Sequence, residues 1–203
     1  MSRFYIGGTP ISSVYMGGKR YDVKIGFTKQ EENILYQLPA PITFTGNVND
    51  VIDTGLKLWE SDISFTIEAD FVTDIKTSEQ SLFSFQNCNG PYNGLKWGWH
   101  PKTGLGYYFV VVGNSYQNAP MDGMNRDYVG ECHLKITHTK DTNLYEAVCS
   151  TDDGDYTAKL NTSTFVAHQL PLIIGADHHA TYTYHYAWAG ILNAFKVIGG
   201  DPI

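Results

Sequence analysis

From residue 42 onward the chain is a succession of short strand-like runs separated by turn residues, and no segment shows the period of a long, capped helix. The clearest run is 63–71, in which apolar residues recur at every second position. Glycine is in excess, with 20 residues, and the chain also holds 14 Tyr and 10 Phe. This composition is typical of many strands joined by tight turns. The pattern predicts an all-β sandwich or barrel.

Turn signals divide the remaining strand-like runs from one another. They include Asn89-Gly90-Pro91, Lys102-Thr103-Gly104 and Asp152-Asp153-Gly154. We therefore expect further strands at 81–86, 94–100, 106–112, 132–139, 144–150, 156–160, 170–174 and 188–198.

Residues 1–26 form a short, glycine-rich segment that differs from the rest of the chain. Gly17-Gly18 lies within the run 14–21 and can supply the positive φ angles of a two-residue turn, so this run predicts a β-hairpin. An isolated hairpin buries too little to be stable. We expect 1–26 to be an attachment module that docks on the main domain, a sister subunit or a larger assembly. Its apolar contacts would come from Ile11, Val14, Tyr15 and Tyr21.

The segment 27–41 separates this module from the main domain. It is polar at its start, and Pro39-Ala40-Pro41 blocks regular strand pairing. We interpret 27–41 as a linker that can include a brief extended piece at Ile34 to Leu38, and 42–203 as the main domain.

Charge and cysteine content exclude several classes of protein. The formal net charge is -7 without a long Lys/Arg run, which argues against binding to a nucleic-acid backbone. No stretch approaches the roughly 18 apolar residues of a membrane-spanning helix. The first residues lack the apolar region of a signal peptide, so we expect the chain to fold in a cytoplasm. Cys88, Cys132 and Cys149 are odd in number and far apart, so buried free thiols are expected rather than disulfides or a zinc site.

Several motifs, in chain order, resemble one superfamily. They are Asp62 to Ile67 (DISFTI), His133 to Thr137 with Tyr145 to Ala147, Leu172 to Gly175, and Trp188 to Val197. Together they resemble the concanavalin A-like lectin/glucanase superfamily in its laminin-G-like form. The resemblance covers about residues 42–199 and implies an antiparallel jelly-roll sandwich, a fold that carries both lectins and glycanases.

A second, shorter resemblance lies at the N-terminus. The run from Ile11 to Gly17, with Val14-Tyr15 at its centre, is similar to hairpin modules at the ends of bacteriophage tail and baseplate proteins. It implies a virion protein of the tail, baseplate or capsid surface, assembled in the host cytoplasm.

The choice between lectin and glycanase depends on carboxylates. Glucanases of this fold carry E-x-D-x-E on one strand, so that alternate residues point into one cleft. The nearest match here is Glu68-Ala69-Asp70-Phe71-Val72, in which Val72 replaces the third carboxylate. We expect Glu68 and Asp70 to form a solvated strand face and the protein not to be an enzyme.

The run 91–100 contains Trp97 and Trp99, which share one face of a strand. Exposed indole rings would form a platform on which sugar rings stack, with His100 binding hydroxyl groups. The alternative is that both tryptophans pack in the core. Both alternatives remain open.

The segment 177–186 is rich in side chains that are flat and that also form hydrogen bonds. It lies between two predicted strands, where a loop is expected. Tyr182, Tyr184, Tyr186 and Trp188 have the same parity. The segment is a ligand-binding surface, a protein interface or an internally packed strand. As a binding surface it would use Asp177, His178, Tyr182, Tyr184 and His185.

Histidines and aspartates invite metal hypotheses, which the spacing supports poorly. His178 and His179 are adjacent and would point apart on a strand, so no zinc site is predicted. Calcium is common in the superfamily that the chain resembles, and Asp152-Asp153-Gly154-Asp155 offers oxygen atoms, although not at the spacing of an EF-hand. No cofactor is expected, with calcium as the one alternative.

These observations lead to one expected function and two alternatives. We expect a non-enzymatic virion protein whose carbohydrate-binding domain contacts host cell-surface polysaccharide. Its other partners would be virion proteins, bound through the N-terminal hairpin, or further copies of the chain. The first alternative is a decoration or assembly protein that uses the jelly roll for protein contacts. The second is a glycanase with a nonstandard carboxylate pair.

Overall fold

The computed structural model describes residues 5–6, 9–10, 13–16, 19–22, 32–58, 63–74, 76–85, 94–102, 106–112, 116–161, 170–180 and 183–200. Two compact units divide the chain, Met1–Glu32 and Asn33–Ile203. The regular structure within the described ranges is β-strand. A search of those ranges finds no helix of the length and hydropathy needed to cross a membrane.

The first unit consists of short antiparallel pairs. Strand β1 (Tyr5–Ile6) pairs with β2 (Thr9–Pro10), and β3 (Ser13–Met16) pairs with β4 (Lys19–Asp22). The second pair is the hairpin that the sequence predicts. Val14 lies opposite Tyr21 in it, and Tyr15 lies opposite Arg20. Ile11 lies outside the described residues, and the attachment role of this unit stays a prediction.

The second unit contains the remaining strands. They are β5 (Asn33–Gln37), β6 (Ile42–Thr45), β7 (Ile52–Asp53), β8 (Phe65–Thr73), β9 (Gln80–Ser84), β10 (Gly94–His100), β11 (Gly106–Val112), β12 (Tyr116–Pro120), β13 (Gly130–Thr139), β14 (Leu144–Thr151), β15 (Gly154–Asn161), β16 (Ile173–Ile174), β17 (Asp177–Ala180), β18 (Thr183–His185) and β19 (Ala189–Gly199).

In the described part of this unit most strands form two antiparallel sheets. The six-stranded sheet has the order β12-β11-β10-β9-β16-β7. The seven-stranded sheet has the order β15-β14-β13-β8-β19-β5, and β6 also pairs with β19. Strands β17 and β18 form a separate hairpin. The all-β fold predicted from the sequence is confirmed.

The core lies between the two sheets and follows the alternation of the strands. Phe65, Ile67, Ala69 and Phe71 on β8 are each at most 1% exposed, as the period of two predicts. Aromatic rings from the two sheets meet in this layer. The Phe83 ring on β9, for example, lies 5.5 Å from the Phe195 ring on β19, edge to face. The second unit is therefore an antiparallel β-sandwich.

Strand β5 starts within the segment interpreted as a linker. It pairs with β19, and the amide of the following residue, Leu38, donates a hydrogen bond of 2.8 Å to the Phe195 carbonyl. The seven-stranded sheet therefore extends into residues 33–37, ahead of the Pro39-Ala40-Pro41 run. The extended piece expected at Ile34 to Leu38 thus overlaps a strand of the sheet, whereas local composition does not reveal its pairing with β19, far away in the chain.

Two of the three cysteines lie in the described part. Cys132 and Cys149 are free thiols, and both are buried in the core. A hydrogen bond with the neighbouring Cys149, together with burial of the thiol, holds the pKa of Cys132 well above its usual range. Both residues act as small apolar groups in the core, in line with the sequence prediction. Cys88 lies outside the described residues.

Candidate functional site

The outer face of the seven-stranded sheet carries polar side chains from adjacent strands. Alternation on β8 turns Glu68 and Asp70 outward because Ile67, Ala69 and Phe71 face the core. The register then places Asp70 opposite His133 on β13. The same register places His133 opposite Ser150 on β14. Cross-strand partners of this kind lie side by side, so the outer face presents a continuous polar row.

Two adjoining depressions lie along this row, with volumes of about 230 Å³ and 440 Å³. Asp70 and His133 line both of them, so we call the pair of depressions the Asp70–His133 groove. Its larger half falls within the range of roughly 300–1,000 Å³ that is usual for ligand pockets. The polar or small residues of the smaller half are Gln37, Glu68, Ala194 and Lys196. Those of the larger half are Glu131, Ser150, Thr151, Asp152 and Asn193.

Charged groups in the groove are paired but accessible. His133 Nδ1 and an Asp70 carboxylate oxygen form a hydrogen bond, and both side chains are about half exposed, at 53% and 50%. Glu68 accepts from Lys196 at 3.0 Å and lies 3.9 Å from Lys135. Exposed pairs of this kind contribute about 0–1 kcal/mol to stability. Folding therefore depends little on them, and they are available to a ligand.

A β-bulge adds one side chain to the groove. Along β19, Leu192 pairs with Phe71 and Ala194 pairs with Asp70, which leaves Asn193 as the extra residue. Asn193 and Ala194 are both exposed, whereas Leu192 and Phe195 are buried. Bulges often occur beside functional sites because they redirect a side chain. Here the bulge places an amide, which can donate and accept hydrogen bonds, in the larger depression.

The outer face of the six-stranded sheet carries a different arrangement, in which the charges are buried. Lys96 Nζ donates to Asp177 Oδ2 at 3.0 Å and to Glu79 Oε1 at 2.7 Å. Asp177 Oδ1 accepts from the Ser84 hydroxyl at 2.6 Å, and Glu79 Oε1 accepts from the Tyr108 hydroxyl at 3.0 Å. We call these five residues the Lys96 network.

The Lys96 network is charged although it is nearly closed to solvent. The side chains of Lys96 and Asp177 are 4% and 0% exposed. Burial alone lowers the pKa of Lys96, but the charges of Asp177 and Glu79 outweigh burial, so its pKa lies above the ordinary value. Burying such ions costs several kcal/mol each, and the pairing largely offsets that cost. The network therefore determines how its five residues are positioned relative to one another more than it adds to the stability of the fold.

His100 lies at the rim of this network. Its Nδ1 accepts a hydrogen bond of 2.9 Å from the Lys102 amide, so in the neutral ring the proton is on Nε2. That atom lies 3.4 Å from Glu79 Oε2. The His100 side chain is 28% exposed. It remains the most accessible polar residue of the predicted site on β10.

The two tryptophans predicted as a sugar platform lie in the core instead. Trp97 and Trp99 are 0% and 1% exposed. The Trp97 ring packs 5.1 Å from the Phe71 ring of the opposite sheet, and Trp99 Nε1 donates to the Arg126 carbonyl at 2.7 Å. The platform prediction is wrong for both rings, because the alternation of β10 turns them inward and Lys96 and His100 outward.

The segment 177–186, predicted as a loop, contains the β17–β18 hairpin. Asp177 lies opposite His185, and His178 lies opposite Tyr184. Asp177 is fully buried in the Lys96 network, so it cannot contact a ligand directly as predicted. His185 is exposed and Tyr184 is half-buried. Tyr182 lies outside the described residues.

The common parity expected of the tyrosines does not continue to the end of this segment. Tyr186 adopts a left-handed backbone with φ of 54° and is 41% exposed, while Trp188 is buried. A non-glycine residue in this conformation carries a steric cost of about 1–2 kcal/mol. The change of direction at Tyr186 separates the exposed end of the hairpin from the core strand β19.

Metal binding receives no support from the geometry of the described residues. No three or more of their His, Cys, Asp or Glu side chains are arranged to hold an ion. In the turn that was considered for calcium, Asp152 accepts a hydrogen bond of 2.5 Å from the Tyr128 hydroxyl. Burial and this carboxylate raise the pKa of Tyr128 to about 12, so the phenol remains a donor at neutral pH.

Sequence comparison identifies no matching family model and no matching curated protein. Comparison of folds finds similar structures. A K499G mutant of NanB sialidase from Streptococcus pneumoniae matches with a TM-score of 0.62 and 14% identity, over 84% of this chain and 27% of that one. The leech intramolecular trans-sialidase matches with a TM-score of 0.57 and 12% identity, over 85% of this chain and 27% of the enzyme. This chain thus spans about a quarter of the length of either sialidase.

One similar structure is of comparable size to this chain. The Ruminococcus gnavus IT-sialidase CBM40 matches with a TM-score of 0.54 and 14% identity, over 80% of this chain and 91% of that one. Identities this low show the fold alone. The fold matches agree with the antiparallel β-sandwich described above.

Proposed function

We propose that this protein is a non-enzymatic carbohydrate-binding protein and that a glycan binds in the Asp70–His133 groove. The observation that carries the proposal is the groove itself, two adjoining depressions across one sheet that share a paired carboxylate and imidazole. A polyhydroxylated ligand needs closely spaced donors and acceptors. The groove offers carboxylate, imidazole, ammonium, amide and hydroxyl groups on neighbouring strands.

The fold comparison supports a glycan as the ligand class. The R. gnavus CBM40 has been solved bound to α2,3-sialyllactose and to α2,6-sialyllactose. Its likeness to this chain is one of fold, so the identity of the sugar is left to experiment. Sialyllactoses and their uncharged lactose core are therefore the first probes to use.

Glycan-array binding followed by calorimetric titration tests the proposal. Asp70→Ala with His133→Ala should weaken binding at least tenfold, because both halves of the groove lose their shared polar wall. The matched control is Glu146→Ala with Lys159→Ala, an exposed ion pair on the same sheet that does not line the groove. The proposal fails if the wild type binds no glycan, or if the groove and control variants bind equally well.

The absence of catalysis is a separate part of the proposal. Its support is Val72, which stands where the strand motif of glucanases has a third carboxylate. Incubation with polysaccharide and assay of reducing ends tests it. Release of reducing ends that Glu68→Gln abolishes would show that the protein is a glycanase.

The biological setting that we propose is a bacteriophage virion, where the domain would contact host cell-surface polysaccharide. The support is the N-terminal hairpin, with its resemblance to tail and baseplate modules. Many copies on a particle would compensate for weak binding at each site. Deleting residues 1–26 should prevent incorporation into particles while the isolated protein still binds host cells. Loss of cell binding alongside intact particles would exclude this arrangement.

A decoration or assembly role through protein contacts remains the alternative. In that case the deletion would destabilise particles, and the isolated protein would bind neither glycans nor cells. Neighbouring reading frames that encode virion proteins would favour either form of the virion setting over a cellular lectin.

A further inference from the structure

The β17–β18 hairpin and the residue that follows it are anchored to the outer face of the six-stranded sheet at both ends. At the start, Asp177 receives hydrogen bonds from Lys96 and Ser84. At the end, the Tyr186 carbonyl accepts a hydrogen bond of 2.7 Å from the Ser81 amide. Polar groups at both ends of this segment therefore tie it to strands β9 and β10.

Tyr186 is the exposed aromatic residue at the end of this anchored segment. Its left-handed backbone turns it away from the core position taken by Trp188. The Lys96 ammonium lies 5.0 Å from the centroid of its ring, within the range of a cation–π contact. The His185 ring meets it edge to face, with centroids 6.0 Å apart. The Tyr186 ring thus contacts Lys96, which is itself buried and held by Asp177 and Glu79.

The surroundings of Tyr186 fit a small polar ligand better than a protein partner. Among the described residues, the other large apolar side chains of comparable exposure lie on the seven-stranded sheet or in loops, namely Ile34, Val48, Val129, Val148 and Ile191. A stable protein interface needs a patch of roughly 800 Å² with an apolar centre. A single held ring, with an imidazole beside it, instead suits the C–H face of one sugar, whose hydroxyl groups reach the polar rim.

We infer that Tyr186 and His185 form a second glycan-binding site, positioned by the Lys96 network and lying on the sheet face opposite to the Asp70–His133 groove. This inference rests on the proposed function and adds a binding site to it. The core of the sandwich separates the two sites, so occupation of one leaves the other open. One domain would then hold two glycan chains at once and cross-link them.

Native mass spectrometry of the full chain tests this inference, with α2,3-sialyllactose, lactose and chitotriose as probes. The wild type should bind up to two copies of at least one probe. Tyr186→Ala should leave one copy bound, and Tyr186→Phe, which keeps the ring, should leave two. Asp70→Ala with His133→Ala should also leave one copy, through loss of the groove site. Unfolding midpoints measured in parallel show that each variant is folded.

A second pair of variants tests the positioning role of the network. Lys96→Met with Asp177→Leu replaces the buried ion pair by apolar groups, so the variant should fold and keep the groove site. It should weaken the Tyr186 site at least tenfold, because the hairpin then loses its side-chain anchor at Asp177 and the ring loses its contact with the Lys96 ammonium.

The outcomes separate the two proposals. A wild type that binds one copy, lost in the groove variant and unaffected by Tyr186→Ala, would overturn the second site and leave the proposed function standing. A single copy lost only with Tyr186→Ala would overturn the groove. Binding of none of the three probes would count against both.

Discussion

The outer faces of the two sheets carry similar chemical groups in opposite surroundings. On the six-stranded sheet, Lys96 and Asp177 pair beneath a hairpin and are almost inaccessible to water. On the seven-stranded sheet, Asp70 and His133 pair in the open and are about half exposed. A polar pair that is covered determines where a segment of chain lies, whereas one that is open can exchange its partner for a ligand. The two faces therefore differ in the solvent exposure of their paired groups rather than in the types of residue they carry.

Removing one member of the buried pair should have the largest effect on stability. Lys96→Met leaves the fully buried Asp177 carboxylate without its counter-charge, which should lower the free energy of unfolding by about 3–5 kcal/mol. The equivalent change on the open face, Asp70→Asn, should cost less than about 1 kcal/mol. Denaturant unfolding of both variants measures the two costs. Equal costs would mean that cover does not distinguish the two faces.

Strand β13 offers a second contrast, between a histidine on each of its faces. His133 is exposed, whereas His138 is fully buried against the Tyr145 ring at 4.5 Å, and burial lowers its pKa to about 4. Between pH 4 and about 6.5 the unfolded chain therefore binds a proton at His138 that the folded chain does not. His138 should contribute up to about 3 kcal/mol of stability above pH 6.5, which is lost as the pH falls towards 4.

Unfolding at several pH values checks this prediction. His138→Phe should flatten the pH dependence over this range, because the variant has no imidazole at this position to titrate. A pH dependence as steep in the variant as in the wild type would place the titrating group elsewhere.

Two substitutions at Tyr186 separate the steric cost of its left-handed backbone from the contribution of its ring contacts to stability. Tyr186→Gly removes the ring and the left-handed strain, whereas Tyr186→Ala removes the ring alone. The glycine variant should be the more stable by about 1 kcal/mol. Thermal or denaturant unfolding of the two variants measures the difference. If alanine is as stable as glycine, Tyr186 is not held in a strained conformation.

The smallest effect is expected at the open face itself. Glu68→Gln removes the charge that faces Lys135 and Lys196, yet it should change the free energy of unfolding by less than about 1 kcal/mol. A larger loss at low salt that disappears at high salt would indicate a coupled charge network across this sheet.

Much of the fold could be predicted because strand periodicity is a local property. The predicted ranges 94–100 and 106–112 coincide with β10 and β11, and the inward set on β8 follows its alternation. The extended piece at Ile34 to Leu38 could be expected from local pattern, but its pairing with β19 could not, because that partner lies at the other end of the chain. The segment 177–186 is expected to be a loop because it lies between two predicted strands, and its anchor, Lys96, lies on another strand.

The candidate sites were harder to predict, because alternation gives two faces and does not say which one is covered. Trp97 and Lys96 are adjacent on β10, and both are buried, one by the opposite sheet and the other by the hairpin. Glu68 and Asp70 were recognised as an outward-facing remnant of a carboxylate motif. Their partner His133 was not, since its position beside Asp70 depends on the register between β8 and β13. The alternation along a strand predicts the face on which each side chain lies. Its cross-strand neighbours depend on how the strands pair.

The bulge at Asn193 has a consequence for how this sandwich can change over evolution. On either side of it, Leu192 and Phe195 point inward, and Ala194 and Lys196 point outward. Removing Asn193 would leave an unbroken alternation in which every neighbour keeps its face. One amino acid can therefore be inserted, deleted or substituted at this position while the other side chains of β19 keep their orientation. The side chain that this position places in the Asp70–His133 groove can therefore vary independently of the residues that build the sandwich.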